Sequence, residues 1–215
     1  MIEAELKARV RSPETVERHL AARAEARVEV YEDTYYDRPD TALERADQEL
    51  RLRTVHGPDG TRRTLLTFKG ASVDAESGSK PEYETPVADA PAAHAILRGL
   101  GYVELIAFEK RCRSYAFEAH GRRMLATLVR VPELDGTFLE LETLVPEAEA
   151  EAEAEAEAET EAEAEADLTA ALADIRTVLG ELGIAPEDLT RDTYTDAVRA
   201  RRAAGTREAG QWTQR

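Results

Sequence analysis

The 215-residue chain is 42% hydrophobic and 6% aromatic, which is enough apolar material for one buried core. Its formal net charge is −16, but ten glutamates of an alternating Glu-Ala run, from Glu147 to Glu165, account for most of it, and the rest carries −6. This balance excludes a protein whose whole surface binds nucleic acid by counterion release, so we expect no nucleic-acid partner.

Cysteine usage and the N-terminal segment indicate a cytoplasmic protein. Cys112 is the only cysteine, which excludes an intramolecular disulfide and gives no sign of an oxidising compartment. The first twenty residues hold no apolar signal-peptide core, and no stretch is long enough for a membrane span. We therefore expect no membrane contact.

The N-terminal part of the chain is predicted to form strands, turns and one helix. A period of two predicts strands at 2–10, 28–37, 49–56, 61–69 and 80–87. Ser12 followed by Pro13 is typical of a helix start, so a helix is predicted at 13–25. The turn sequence Gly57-Pro58-Asp59-Gly60 joins the third and fourth strands into a hairpin.

Three further strands follow a short helix. The helix is predicted at 91–100, where Gly101 ends it, and the strands at 102–118, 122–131 and 137–145. The first of these strands is long enough to contain a break. Seven or eight strands with few helices favour a closed sheet in an α+β protein.

The segment after the last strand is of lower complexity. Residues 147–166 alternate Glu and Ala, which leaves no apolar stripe, and we interpret them as a solvated insert rather than a helix. Apolar residues within 168–182 have helical spacing, and another helix is predicted from Thr190. Residues 203–215 lack periodicity and are expected to be disordered, which leaves a single domain at 1–202.

Charged residues occupy one face of several predicted strands, and apolar residues occupy the other. The charged sets are Glu3, Glu5 and Lys7; Arg51 and Arg53; Lys80, Glu82 and Glu84; and Glu140 and Glu142. In a sandwich these faces would point into solvent, and periodicity alone favours that arrangement. However, like charges on one face repel unless cations or basic groups lie between them, and Glu-x-Glu recurs on three strands. The alternative is a barrel with the charges inside and helices covering the apolar outer face.

An inward arrangement would make a binding site for a metal polyphosphate. It would bring together Glu3, Glu5, Glu82, Glu84, Glu140 and Glu142 with Lys7, Arg9, Arg51, Arg53, Arg63, Lys69 and Lys80. Carboxylate ligands select Mg²⁺ or Mn²⁺, and Arg and Lys hold phosphate oxygens. A lumen with both signs of charge therefore predicts binding of a triphosphate with divalent cations.

Short segments along the chain carry a family resemblance. They are Glu3-x-Glu5-x-Lys7, Asp33–Asp37, Glu49–Arg53, Leu66–Gly70, Lys80–Glu84 and Gly136–Glu142. The first resembles the ExExK signature of the CYTH superfamily, or triphosphate tunnel metalloenzymes, and the others follow in that superfamily's order and spacing. The resemblance covers 1–145 and 167–200 and is strongest to class IV adenylyl cyclases. It implies a closed antiparallel eight-stranded β-barrel with a charged interior and helices packed outside.

The resemblance also implies roles for individual residues. The metal ligands would be Glu3, Glu5, Glu140 and Glu142, supported by Glu82 and Glu84, with Mg²⁺ or Mn²⁺ as the cofactor. The triphosphate would be held by Lys7, Arg51, Arg53, Lys69, Lys110 and Arg113, and the catalytic residues would be Glu5, Lys7 and Glu142. The implied substrate is a small-molecule triphosphate, and a second copy of the chain is a candidate partner.

The chain departs from the family pattern at two positions. Val129 follows a Leu where the family usually has an Asp, and Cys112 stands where an Arg is expected. Either a register change turns Arg111 and Arg113 inward, or one phosphate contact is missing. We interpret Cys112 as a filler of the core rather than as a nucleophile.

Three functions fit the site that the resemblance implies. The leading one is cyclisation of ATP to cyclic AMP and pyrophosphate, by attack of the ribose 3′-oxygen on the α-phosphorus. The first alternative is hydrolysis of tripolyphosphate, thiamine triphosphate or a nucleotide in the same site. The second is a non-catalytic module that binds polyphosphate or a nucleotide, which the missing Asp at Val129 favours.

Overall fold

Eight strands close into one antiparallel barrel in the part of the chain that the structure describes. The computed structural model describes residues 1–74, 77–147 and 154–212, with the backbone alone at 154–161 and 206–212. The strands are β1 (Ile2–Arg9), β2 (Arg27–Asp37), β3 (Glu49–His56), β4 (Arg62–Lys69), β5 (Lys80–Val87), β6 (Val103–Ala119), β7 (Arg122–Arg130) and β8 (Phe138–Val145). Their order around the barrel is β1-β5-β4-β3-β2-β6-β7-β8, which confirms the predicted closed sheet. β6 runs through its 17 residues as one strand, with a register shift against β2 at Leu105.

The helices lie in the connections between strands and after the last strand. They are α1 (Pro13–Ala21), α2 (Ala42–Arg45), α3 (Ala90–Gly99), α4 (Ala154–Glu181) and α5 (Tyr194–Trp212), with a 3-10 turn at Pro186–Asp188. The sequence pattern predicts neither α2 nor the 3-10 turn. Gly101 follows α3 with φ at +91°, a conformation that glycine adopts without strain. Within the described ranges, no helix combines the length and apolar character that crossing a lipid bilayer requires.

The register of the strands turns the charged faces inward. Residues paired across neighbouring strands share a face, and Glu5 is opposite Glu142 while Lys7 is opposite Glu140. The other faces of β1 and β8 are apolar, and Leu141 is fully buried in a cluster shared with α1 and α4. Burying a large aliphatic side chain stabilises a fold by about 1.5–3 kcal/mol, so the apolar faces have to lie under the helices. The sandwich interpretation is therefore wrong.

The barrel has one short seam, between β1 and β5. Two residue pairs join these strands, Ile2 with Pro81 and Glu3 with Lys80. Farther along β1, the chain after α4 takes over, since the Thr190 amide donates a 2.9 Å hydrogen bond to the carbonyl of Lys7. The C-terminal part of the chain therefore helps to close the barrel beside the charged face of β1.

The described part of the Glu-Ala run is helical, which corrects the expected insert. From Ala154 onward the run belongs to α4 and continues into the packed residues after Leu168, while residues 148–153 lie outside the described part. Ala and Glu are strong helix formers, and a helix anchored by its buried half needs no apolar stripe in its other half. The side chains of 162–166 are exposed or half-buried, as expected for a solvated segment.

The tail is also more helical than expected. α5 begins at Tyr194 rather than near Thr190 and extends to Trp212, so the disorder expected from residue 203 is wrong over that part. Residues 213–215 lie outside the described part of the chain. The side chains of 203–205 are exposed.

Replacing Glu163 by Gln is expected to change the free energy of unfolding by no more than about 0.5 kcal/mol, because its side chain is exposed. Leu168, the first buried position among the described side chains of α4, is the contrast. Replacing it by Ala should cost clearly more, since the truncation leaves a cavity. Urea unfolding measures both, and equal losses would show that the Glu-Ala part of α4 packs on the barrel.

Candidate functional site

A cavity of about 290 Å³ occupies the barrel lumen, lined by side chains from all eight strands and from the start of α5. Of the residues to which the resemblance assigns a role, all but Arg113 line it: Glu3, Glu5, Lys7, Arg51, Arg53, Lys69, Glu82, Glu84, Lys110, Glu140 and Glu142. Arg9, Arg63 and Lys80, which the charge pattern also placed in the lumen, do not line this cavity. The sequence reasoning missed Arg27, Tyr31, Tyr35, Glu49, Leu125, Thr127 and 193–195, which line it as well. The lumen is therefore strongly charged and carries both signs.

Three carboxylates of the lumen lie together. One oxygen from each of Glu3, Glu5 and Glu142 lies within 4.8 Å of the other two. Burial and then the neighbouring charge of Glu5 raise the pKa of Glu142 to about 7, and burial also raises the pKa values of Glu3 and Glu5. Carboxylates this close repel one another, and hard oxygen ligands suit Mg²⁺ or Mn²⁺. The donor set therefore fits a divalent cation.

Two other expected metal ligands, Glu82 and Glu140, lie beside lysines. Glu82 forms an ion pair with Lys69 at 2.9 Å, and Lys69 also donates to Glu3. The ammonium of Lys110 lies 3.9 Å from Glu140. Burial acts to raise the pKa values of Glu82 and Glu140, but the lysines, together with hydrogen bonds and nearby arginines, outweigh it and lower both. These carboxylates balance the lysine charges, and their expected role as ligands stays a prediction.

Arg51 is buried on β3 with part of its guanidinium unsatisfied. Its Nη2 donates to the Thr67 hydroxyl at 3.3 Å and lies 3.9 Å from Glu84, which itself accepts a 2.8 Å bond from Thr67. Its Nε has no hydrogen-bond partner among the described residues. A buried donor without a partner costs about 1–3 kcal/mol, and a phosphate oxygen would satisfy it. Arg51 is thus available to an anion.

Arg53 is held more firmly, by a residue that the sequence reasoning did not assign to the site. Asp33 on β2 accepts hydrogen bonds from Nε of Arg53 at 2.6 Å and from Nη2 at 2.8 Å. The ring of Tyr31 lies 4.5 Å from the guanidinium. Burial acts to raise the pKa of Asp33, but attraction to Arg53 prevails and holds it far below its usual range. The signal was present, because Asp33 alternates with Tyr31 and Tyr35 on one strand face.

The chain before and at the start of α5 contacts the lumen lysines. Lys7 donates to the carbonyl of Asp192, which is 185 residues away in sequence. The ring of Tyr194 lies 4.7 Å from the ammonium of Lys7 and 4.9 Å from that of Lys110, and its edge meets Phe138. Burial lowers the pKa of Lys7. No local sequence pattern predicts these contacts, because they join opposite ends of the chain.

Arg113 is the predicted site residue that lies elsewhere. β6 pairs without a register shift through this stretch, so its side chains alternate regularly between the two faces. Lys110 and Cys112 therefore face the lumen, while Arg113 faces outward and pairs with Glu17 at 2.7 Å. The expectation that Arg113 binds the triphosphate is therefore wrong. Cys112 is paired across the strands with Val129, and both are buried in an apolar cluster. Burial raises the pKa of the Cys112 thiol to about 12, as expected of a filler rather than a nucleophile.

Comparisons with known proteins agree with this architecture. The family model described as the CYTH domain matches residues 1–194. The PH1819 protein from Pyrococcus horikoshii is 24% identical with a TM-score of 0.72, over 92% of this chain and 98% of that one. A candidate adenylate cyclase from Vibrio parahaemolyticus is 19% identical with a TM-score of 0.69, over 93% and 98%.

A plant protein is also similar in structure. It comes from Hippeastrum, is a candidate adenylyl cyclase with a dominant triphosphatase activity, and is 16% identical with a TM-score of 0.57, over 93% of this chain and 96% of that one. At these identities the structural likenesses show the fold alone. No curated protein matches the chain.

Proposed function

Because the chain belongs to the CYTH family, we propose that it is a metal-dependent enzyme acting on a triphosphate, and that it converts ATP into cyclic AMP and pyrophosphate. One observation carries this proposal. A single lumen holds three close carboxylates on β1 and β8 and, on other strands of the barrel, the cations Arg51, Arg53, Lys69 and Lys110. This pairing of charges matches the two halves of a metal triphosphate.

The basic residues would bind the phosphates. Arg51 brings a buried Nε that lacks a partner, and Arg53 brings a guanidinium that Asp33 already orients. Charge-assisted bonds from such groups to phosphate oxygens are worth about 1.5–3 kcal/mol each. Lys7 lies on the same face of β1 as the carboxylates and would donate to the phosphate on which negative charge develops.

The carboxylates Glu3, Glu5 and Glu142 would hold the divalent cation, which their oxygen donors and close spacing fit. When bound, the cation would neutralise phosphate charge and polarise a phosphoryl oxygen. The chain itself fixes the position of the carboxylates, because Glu5 and Glu142 are paired across two hydrogen-bonded strands. It also keeps the site partly shielded from water, which strengthens every charge interaction inside.

A triphosphatase is the second candidate. The Hippeastrum protein, which shares the fold, has a dominant triphosphatase activity. In that reaction water would replace the ribose 3′-oxygen as the nucleophile, and the same basic residues would hold the phosphates. A non-catalytic binding module is the third candidate, favoured by Val129 in place of an acidic side chain.

Product identification separates the three candidates. The protein is incubated with ATP and, separately, with tripolyphosphate, each with Mg²⁺ or Mn²⁺, and the products are resolved by ion-exchange chromatography. We expect cyclic AMP and pyrophosphate from ATP. Orthophosphate released from either substrate, without cyclic AMP, would favour the triphosphatase. Binding without any product would leave the non-catalytic module.

A further inference from the structure

A buried carboxylate, Asp33, lies among the cations that the proposed function assigns to phosphate. It is 1% exposed and accepts two hydrogen bonds from Arg53, at 2.6 and 2.8 Å. The ammonium of Lys110 lies 3.8 Å from Oδ2 of Asp33, the oxygen that also accepts the bond from Nη2 of Arg53. An anionic substrate is attracted to the same two cations, so Asp33 opposes binding of that substrate.

Asp33 also fixes the orientation of Arg53. It uses two of the five N–H donors that a guanidinium carries, while the ring of Tyr31 covers one face of the group at 4.5 Å. A planar guanidinium held along one edge and on one face has little freedom to rotate. Its remaining donors therefore point in a fixed direction.

The neighbouring arginine on the same strand face is held differently. Arg51 makes one hydrogen bond, to the Thr67 hydroxyl at 3.3 Å, and its Nε has no partner among the described residues. Its nearest carboxylate in an ion pair is Glu84 at 3.9 Å. One arginine is thus anchored and the other is loosely held, a difference that charge neutralisation alone does not require.

We propose that Asp33 is a positioning residue, which holds Arg53 in the orientation that the reacting phosphate requires and weakens attraction for the bound substrate in the ground state. The inference rests on the proposed function. An interaction made in advance costs no reorganisation during the reaction, whereas a stronger ground-state attraction to phosphate adds nothing to the rate once substrate is bound. Asp33 would therefore raise kcat at the expense of affinity.

Glu29 provides a matched control. It lies on the same strand as Asp33, is 4% exposed, and accepts bonds from Arg63 at 2.6 and 3.2 Å. It is not among the described residues that line the lumen cavity. Replacing Glu29 by Gln therefore removes a charged, bidentate partner of Arg63, an arginine of β4, and leaves the two bonds between Asp33 and Arg53 in place. The Gln amide oxygen can still accept the 3.2 Å bond that the Tyr31 hydroxyl donates to Glu29.

The experiment compares Asp33→Asn and Glu29→Gln with the wild type. We expect Asp33→Asn to lower kcat by at least about ten-fold and to bind tripolyphosphate with Mn²⁺ more tightly, by roughly two- to ten-fold, because a negative charge is lost. Glu29→Gln should change both quantities by less than about two-fold, although both variants should melt at lower temperature. Weaker binding by Asp33→Asn, or an unchanged kcat, would overturn the inference.

Two further measurements keep the outcome interpretable. If Asp33→Asn does not fold, Arg53→Lys keeps the ion pair but removes the planar fork, and an unchanged kcat in that variant would overturn the inference. If the wild type turns over neither ATP nor tripolyphosphate, the proposed function fails. The effect of Asp33 on Arg53 is then decided by calorimetry alone, where tighter binding by Asp33→Asn supports it and weaker binding contradicts it.

Discussion

Replacing Glu5 or Glu142 by Gln is expected to lower metal-dependent turnover by roughly a thousand-fold or more, because each change removes one of three carboxylates that lie within 4.8 Å of one another. The measurement is kcat with saturating Mn²⁺, together with the rise in melting temperature that Mn²⁺ produces. A ligand present at about 100 times its dissociation constant stabilises a protein by about 2.7 kcal/mol, and this gain should be largely lost in both variants.

Glu109→Gln is the control for these substitutions. Glu109 lies on β6, is half-exposed, and pairs with Arg111 on the outer face at 2.8 Å. Its loss should leave turnover and the effect of Mn²⁺ unchanged. Normal turnover in both Glu5→Gln and Glu142→Gln would contradict the assignment of the carboxylates to a metal site.

The Glu142 variant should also alter the pH dependence of stability without metal. The folded-state pKa of Glu142, about 7, lies above the ordinary value of 4.5, so the charged form is disfavoured in the folded protein. The contribution of Glu142 to the free energy of unfolding is then fully present below pH 4.5 and is lost as the pH rises through about 7. Thermal melting in EDTA should therefore show Glu142→Gln to be more stable than the wild type at about pH 8, by at most about 3 kcal/mol, with the difference disappearing in acid.

Replacing Arg51 by Ala is expected to weaken tripolyphosphate binding by roughly ten- to a hundred-fold, since a buried charge-assisted bond to phosphate is worth about 1.5–3 kcal/mol. The empty protein should lose little stability, because the Nε of Arg51 has no partner and its nearest carboxylate in an ion pair is 3.9 Å away. Calorimetric titration with Mn²⁺ present measures the affinity. Arg53 is the poorer choice for this test, because its removal would leave Asp33 charged, buried and without its main partner.

Arg111→Ala is the matched control for Arg51. Arg111 is also an arginine on a barrel strand, but its side chain is 68% exposed on the outer face. If the phosphates bind inside the lumen, loss of the Arg111 side chain should not change the affinity for tripolyphosphate. Equal dissociation constants for Arg51→Ala and the wild type would show that β3 does not face the bound phosphates.

The barrel was largely predictable from the sequence, but the direction of its charged faces was not. Alternation defines strands and their two faces, and Glu5 and Leu6 were assigned to opposite faces correctly. The same alternation fits a sandwich with charges in solvent and a barrel with charges inside. Only the repulsion expected among repeated glutamates, and the family resemblance, favoured the inward arrangement that the register shows.

The errors in the site have two physical causes. The assignment of Arg113 to the lumen overlooked strand alternation. Residues three apart in a regular strand face opposite sides, and Lys110 faces the lumen, so Arg113 faces outward. The contacts of Lys7 with Asp192 and Tyr194 depend on how the chain end returns to the barrel, which no local pattern encodes. The helix over the described part of the Glu-Ala run, from Ala154 onward, was not predicted because patterning was weighed above the intrinsic propensity of Ala and Glu.

The pairing of Cys112 with Val129 constrains how these two positions could mutate to the Arg and Asp of the family pattern. The two departures from the family pattern are cross-strand neighbours, 2% and 0% exposed, so a change at either position alters the surroundings of the other. Introducing an Arg at the first position or an Asp at the second alone would bury a charge without its cross-strand partner, and a buried charge left without its ion-pair partner costs about 3–5 kcal/mol. A path that exchanges the Cys-Val pair for an Arg-Asp pair one substitution at a time therefore passes through an intermediate that has lost much of its stability. We accordingly expect the residues at positions 112 and 129 to change together in evolution.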